Sequence, residues 1–205
     1  MTALLTPPIA PPRLPPPVAP RPYRWTNDDF RRLTDDGYFT DRFVILIDGE
    51  FIEMPHPGPP HDMAVGLIDY VLKSVFPAPG YWVRIQTGFV TGLDTNPGPD
   101  LAVVPGSPRD YVQAPRQAVL IVEVSDTSLA MDTGAKVHIY AAAGVPEYWV
   151  IDVNDPRLLV FRDLVADATA PRGYRYATTL MLAPTDTVTP TAAPTAVIRV
   201  ADLLP

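Results

Sequence analysis

The sequence contains no cysteine, which excludes disulfides, thiolate metal centres and cysteine nucleophiles. Histidine is nearly as scarce. His56, His61 and His138 are all there are, and their spacing fits none of the histidine-based metal motifs. No glycine-rich phosphate loop and no Gly-x-Ser-x-Gly element occurs. No apolar run approaches the ~18 residues a membrane span requires. The chain does not begin with a basic stretch followed by a long apolar one, so no secretory signal is expected, and a cytoplasmic location fits a cysteine-free chain. Positive charge is also in short supply. Sixteen Lys and Arg against 23 Asp and Glu give a net charge of −7 and a sequence pI of about 4.8. That argues against binding nucleic acid by bulk charge, while leaving room for a local basic groove.

What is abundant is proline, with 27 in 205 residues. Many fall in residues 1–22, "MTALLTPPIAPPRLPPPVAPRP". Such a stretch favours extended polyproline conformations and cannot pair as a central strand. It reads as a disordered tail, or as a docking segment for a proline-recognising partner. The remaining 23–205 read as one domain, and an apolar content of 47% is ample for a core.

Thr26 and Asp29 resemble a capping box opening a helix near 26–35. "FVILIDGEFIEM" places two apolar runs around Asp48-Gly49, a strong hairpin signal, with strands at 42–47 and 50–54. From about 60 to 76, Ala64, Leu67, Ile68, Val71, Leu72 and Val75 recur at helical spacing. "YWVRIQTGFV" reads as strand, a short strand starts at Asp100, and the aliphatic run 118–124 suits a strand buried on both faces. A helix over 127–143 ends at Gly144. Strands "EYWVIDV", "RLLVFRD", "YRYATTL" and "AVIRV" follow, with Tyr148 and Trp149 expected in the core. The order of elements indicates an α/β fold with a mixed sheet.

Two acids interrupt this apolar pattern. Asp100 and Glu123 each belong to a short apolar strand, where a carboxylate is costly unless paired, hydrogen-bonded or metal-bound. If the two strands pair, the acids converge at one end of the sheet and repel each other, and a divalent cation relieves that. Lys136 stands on the following helix, sharing a face with Asp132 and Tyr140. It is either an exposed partner of Asp132 or points back over the sheet end. There it would orient or deprotonate a water, or neutralise charge on a phosphoryl oxygen. A third arrangement makes Glu123 and Lys136 a purely structural buried ion pair, a poor source of stability.

"PDLAVV" followed by "VLIVEVSDTSLAMDTGAKVHIYAAAGVPEYWVIDV" resembles the Uma-two family of endonucleases, within the PD-(D/E)XK superfamily. Upstream, "LIDGEFIEM", His61 and Gln86 extend the likeness to roughly residues 23–205. The resemblance implies a restriction endonuclease-like fold: a mixed β-sheet flanked by helices, with an N-terminal β-hairpin. It implies hydrolysis of nucleic-acid phosphodiester bonds, of DNA ahead of RNA, with Mg²⁺ or Mn²⁺ as cofactor and a homodimer as the common assembly. Asp100 and Glu123 would be the metal ligands, and Lys136 would replace the lysine that the superfamily places where Ser125 stands. Gln86, Ser125 and His61 would lie around them or touch substrate; from the residues themselves, Glu53 is a candidate further carboxylate and Asp132 a neighbour of Lys136 on its helix face. One departure matters: Ile45 stands where the family reads a glutamate. That keeps open an inactive homologue that binds nucleic acid or protein.

Overall fold

The computed structural model describes residues 20–205. All but the last three residues of the proline-dense segment 1–22 therefore lie outside the described residues. Thr26 caps α1 (Asn27–Asp35) through the anticipated box: its hydroxyl accepts the Asp29 N–H while the Asp29 carboxylate accepts the Thr26 N–H. The first hairpin, β1 (Phe43–Ile47) and β2 (Glu50–Met54), turns at Asp48 and Gly49, both with positive φ, as a tight two-residue turn requires. Its tip is clasped by Arg172, whose guanidinium donates to both Asp48 oxygens at 2.7 and 2.6 Å.

Helix α2 (Pro59–Val75) starts on two prolines and buries Ala64, Val65, Ile68 and Leu72. Beyond it lies a six-stranded sheet in the order β3 (Tyr81–Ile85), β4 (Leu101–Pro105), β5 (Leu120–Ser125), β6 (Glu147–Asp152), β7 (Arg157–Ala166), β8 (Tyr174–Leu182). Every neighbouring pair is antiparallel except β5 and β6. A parallel pair needs a crossover, supplied by two short helices, α3 (Leu129–Asp132) and α4 (Ala135–Ala142). A small pair of strands, β9 (Thr187–Val188) and β10 (Ile198–Arg199), closes the C-terminal part.

The sheet is covered on both faces. Val122, Val124, Trp149 and Ile151 face α2 and the C-terminal segment, in a core shared with Leu72, Ile198 and Leu203. Ile121, Tyr148 and Val150 face α4, in a core shared with Val137 and Tyr140. Because strand side chains alternate, Glu123 and Ser125 fall on the α4 face.

Two elements differ from the sequence reading, each for a local reason. The strand expected across "YWVRIQTGFV" stops at Ile85: Gln86 still donates its N–H to the Asp100 carbonyl at 2.8 Å, in register with the Ile85–Leu101 pair, but its positive φ turns the chain out of the sheet. The single helix expected over 127–143 is broken at Gly134, where a Cβ would stand only 2.6 Å from the Ala130 carbonyl oxygen. Among the described residues, no helix is long and apolar enough to cross a membrane.

Candidate active site

The antiparallel register of β4 and β5 pairs Leu101 with Val122, so the next step along each strand sets Asp100 against Glu123. Asp100 also takes the place of a ladder bond: its Oδ2 accepts the Val124 N–H at 2.8 Å. Its other oxygen lies 3.1 Å from His61 Nε2, delivered from the first turn of α2. Burial alone would lower the His61 pKa, but Asp100, helped by Asp62, outweighs it and holds the imidazole above its ordinary value.

Lys136 comes from the other side, off the first turn of α4. Its ammonium lies 2.9 Å from Glu123 Oε1 and 3.0 Å from Asp132 Oδ1. It is 4% exposed, Glu123 2% and Asp132 1%. An exposed Asp132–Lys136 pair is therefore not what forms. Asp132 is itself clamped: its Oδ2 accepts the Ser125 and Ser128 hydroxyls at 2.6 and 2.5 Å, and its carbonyl accepts the Tyr148 hydroxyl at 2.9 Å. Ser125 and Asp132 thus stand behind Lys136 and away from solvent.

A further donor went unassigned at the sequence level. Tyr140 O–H donates to Glu123 Oε1 at 2.5 Å. The only sequence signal for it was its spacing of four from Lys136. Burial, then Glu123, raises the Tyr140 pKa well above the ordinary phenol value, so it stays a donor. Burial also pulls Lys136 down, but Glu123 and Asp132 more than offset this and hold it above the ordinary lysine value. An ammonium so held orients or neutralises; it does not suit the role of proton acceptor.

Burial pushes the Glu123 carboxyl up to about 8 against the pull of Lys136, and Asp132 and Asp100 add to the rise. Glu123 and Asp132 share one ammonium with Asp100 nearby, and either a proton on Glu123 or a cation relieves the excess negative charge. The donor set fits a hard divalent cation. Both protein donors fall on Glu123 Oε1, Oε2 accepts no hydrogen bond from a described residue, and Glu123 lines an open cleft together with Asp100. Among the described residues no three His, Asp or Glu side chains form a metal cage. Two carboxylates supplemented by waters and phosphate oxygens is the coordination Mg²⁺ favours.

The same cleft is lined by His61, Gln86, Asp126 and Lys136, and on the hairpin side by Phe43, Ile45 and Met54. Ile45, at the position where a glutamate was anticipated, is 2% exposed and packs with Ile47 and Ile139. Glu53 is not brought in. It pairs with Val44 across the hairpin, on the opposite face from Ile45, and sits 3.7 Å from Arg42 in solvent. Arg109 and Arg116 are exposed on their loop, and Tyr148 and Trp149 are sealed in the core.

A family model described as "Uma2: Putative restriction endonuclease" matches residues 28–201. The chain belongs to the Uma2 family. No curated protein matches. Among solved structures, the fold of this Uma2 chain is similar to that of "a putative nuclease belonging to DUF820" from Anabaena variabilis ATCC 29413. The two share 19% identity at a TM-score of 0.64, over 87% of this chain and 96% of the other. At that identity the likeness speaks for the fold. It agrees with the mixed sheet, flanking helices and N-terminal hairpin described above.

Proposed function

We propose that this Uma2 protein is a metal-dependent endonuclease that hydrolyses nucleic-acid phosphodiester bonds. The observation that carries the reading is the convergence of Asp100, just before β4, Glu123 of β5 and Lys136 of α4 on one cleft, with a Glu123 oxygen left open to it. Asp100 and Glu123 would hold Mg²⁺ or Mn²⁺. The bound ion would act as a Lewis acid on the phosphoryl oxygen and lower the pKa of a bound water. Lys136, kept protonated by Glu123 and Asp132, positions the attacking water or neutralises charge developing on the phosphoryl oxygen. Tyr140 fixes the Glu123 rotamer. Asp132, clamped by Ser125 and Ser128, fixes Lys136. His61 holds Asp100 from the first turn of α2. Buried ion pairs are poor stabilisers, so the Glu123–Lys136 pair is better accounted for by chemistry than by stability.

The fate of Ile45 favours a second reading, an inactive homologue that retains the cleft for binding. One experiment separates the two. Mg²⁺ and Mn²⁺ binding is measured calorimetrically for the wild type, Glu123→Gln and Glu123→Ala, alongside nicking of a labelled nucleic acid. The enzyme reading expects metal binding and cleavage in the wild type and neither in the variants. Metal-independent nucleic-acid binding without cleavage would establish the second reading. Equal metal affinity in the wild type and both variants would sink the site assignment.

A further inference from the structure

The cleft has two chemically different walls. One is polar: His61, Asp100, Glu123 and Lys136. The other is one face of the first hairpin, where Phe43, Ile45 and Met54 line the same space. Phe43 and Met54 are cross-strand partners, so their side chains lie together on one face. Further along that face Ile45 and Ile47 are sealed against Ile139 of α4. Phe43 is not sealed. It is 39% exposed, an aromatic ring left open to water at the mouth of a site built for charge chemistry.

What this cleft lacks is free positive charge. Among the described residues no arginine lines it, and its two cationic side chains, Lys136 and His61, already face carboxylates. Elsewhere Arg24, Arg42, Lys73, Arg157, Arg172 and Arg175 likewise sit 2.6–3.7 Å from acids, while Arg32, Arg109, Arg116 and Arg162, which face no described acid that closely, do not line the cleft. A duplex-binding protein draws affinity from neutralising phosphates, on the order of six to ten of them. The described lining of this cleft offers no such set, in a chain of net charge −7. Stacking is the alternative source of affinity, since every base presents a π-face. In a duplex those faces are covered by neighbouring base pairs; in a single strand they are free.

We propose that the cleft takes single-stranded nucleic acid, with an unpaired base lying on the Phe43–Met54 wall while the adjoining phosphate meets the polar wall. The assignment rests on the nuclease reading for the phosphate and on the hairpin wall for the base.

The full chain is titrated into labelled oligothymidylate, oligouridylate and a mixed-sequence duplex, each about twenty units long, and followed by fluorescence anisotropy in Ca²⁺ at roughly 50 and 200 mM KCl. Either single strand should bind about tenfold or more tightly than the duplex, and thymidylate against uridylate tells whether a DNA or an RNA strand is preferred. The single-strand affinity should fall by less than about tenfold between the two salts, against the ~10³–10⁵ of a protein making many phosphate contacts. Phe43→Ala should weaken single-strand binding roughly tenfold, and Phe43→Trp should retain it. Phe43 is exposed, so neither variant threatens the fold. Duplex binding as tight as single-strand binding, a steep salt dependence, or indifference to Phe43→Ala would overturn the proposal, as would failure to bind any of the three. Cleavage in Mg²⁺ or Mn²⁺ is scored separately. Single-strand binding without cleavage refutes the nuclease reading and leaves the base wall standing. Preferential cleavage of duplex does the reverse.

Discussion

Lys136 Nζ lies 2.9 Å from Glu123 Oε1, although the two residues belong to different elements, α4 and β5. On β5 itself the position two beyond Glu123 is Ser125, and its hydroxyl turns to Asp132, the other partner of Lys136. The cluster is therefore a closed arrangement: serine holds aspartate, aspartate holds lysine, lysine and tyrosine hold one oxygen of glutamate. Its construction leaves the remaining glutamate oxygen to serve the cleft, beside Asp100, whose own oxygens meet the Val124 N–H and His61.

Removing the lysine should expose how tightly this arrangement is coupled. Lys136→Met strands Glu123 and Asp132 in a buried setting and should cost about 3–5 kcal/mol in chemical denaturation. Pairing it with Glu123→Gln should recover about 1 kcal/mol or more, since the two sites interact directly. Strict additivity of the two substitutions would show that the pair is not energetically coupled.

Glu123 should also make stability depend on pH. Its carboxyl is raised from 4.5 to about 8 by burial and by Asp132 and Asp100, with Lys136 opposing. Folding therefore favours the protonated group. That contribution is fully present below 4.5 and is lost as pH rises through about 8. The melting temperature of the metal-free protein should fall across this window. Saturating Mg²⁺, which replaces the proton as the compensating charge, should flatten the curve. Glu123→Gln should abolish both the slope and the metal effect; a wild-type slope that survives in Glu123→Gln would assign it to another group.

Much of this was legible in the sequence where local chemistry decides. Asp48-Gly49 specified a turn because few other residue pairs tolerate two positive φ angles in a row. Asp100 and Glu123 stood out because a carboxylate in an aliphatic strand demands compensation. The rest depended on distant contacts. Nothing near Tyr140 in sequence says that its hydroxyl meets Glu123, because that contact needs α4 laid across β5. The cleft role of Phe43 needs the hairpin folded over the sheet end. Glu53 was misplaced because strand alternation fixes two faces without saying which one meets the core. The strand read through Gln86 ends one residue before it, because Gln86 takes a positive φ that its residue type does not announce.

Gly134 is the position where backbone geometry serves the site most directly. It separates α3 from α4, and a Cβ there would stand 2.6 Å from the Ala130 carbonyl oxygen, backbone that cannot swing aside. Gly134→Ala should cost about 1–3 kcal/mol and weaken metal binding by shifting Lys136 and Asp132. Gly66, within α2, is the control. A Cβ there meets nothing within 4 Å, so Gly66→Ala should be neutral or stabilise by up to about 1 kcal/mol. Urea denaturation of both variants tests the contrast, and equal effects would show that Gly134 is not a steric requirement.

Ile45 offers the sharpest test of how the cleft was built. It lines the same space as Asp100 and Glu123 yet is sealed among Ile47 and Ile139. Ile45→Glu places another carboxylate beside an acid cluster already short of positive charge. In the metal-free protein it should cost at least about 2 kcal/mol, from lost apolar burial and an unpaired polar group. A cation shared by all three acids would reverse that penalty, so Mg²⁺ should raise the melting temperature of Ile45→Glu more than that of the wild type. Calorimetry should give a metal affinity about tenfold higher, equivalent to about 1.4 kcal/mol. Cleavage that rises with that affinity would mean that the apolar residue limits the wild-type enzyme. A destabilised variant with unchanged metal affinity would mean that Ile45 belongs to the core and to the apolar wall alone.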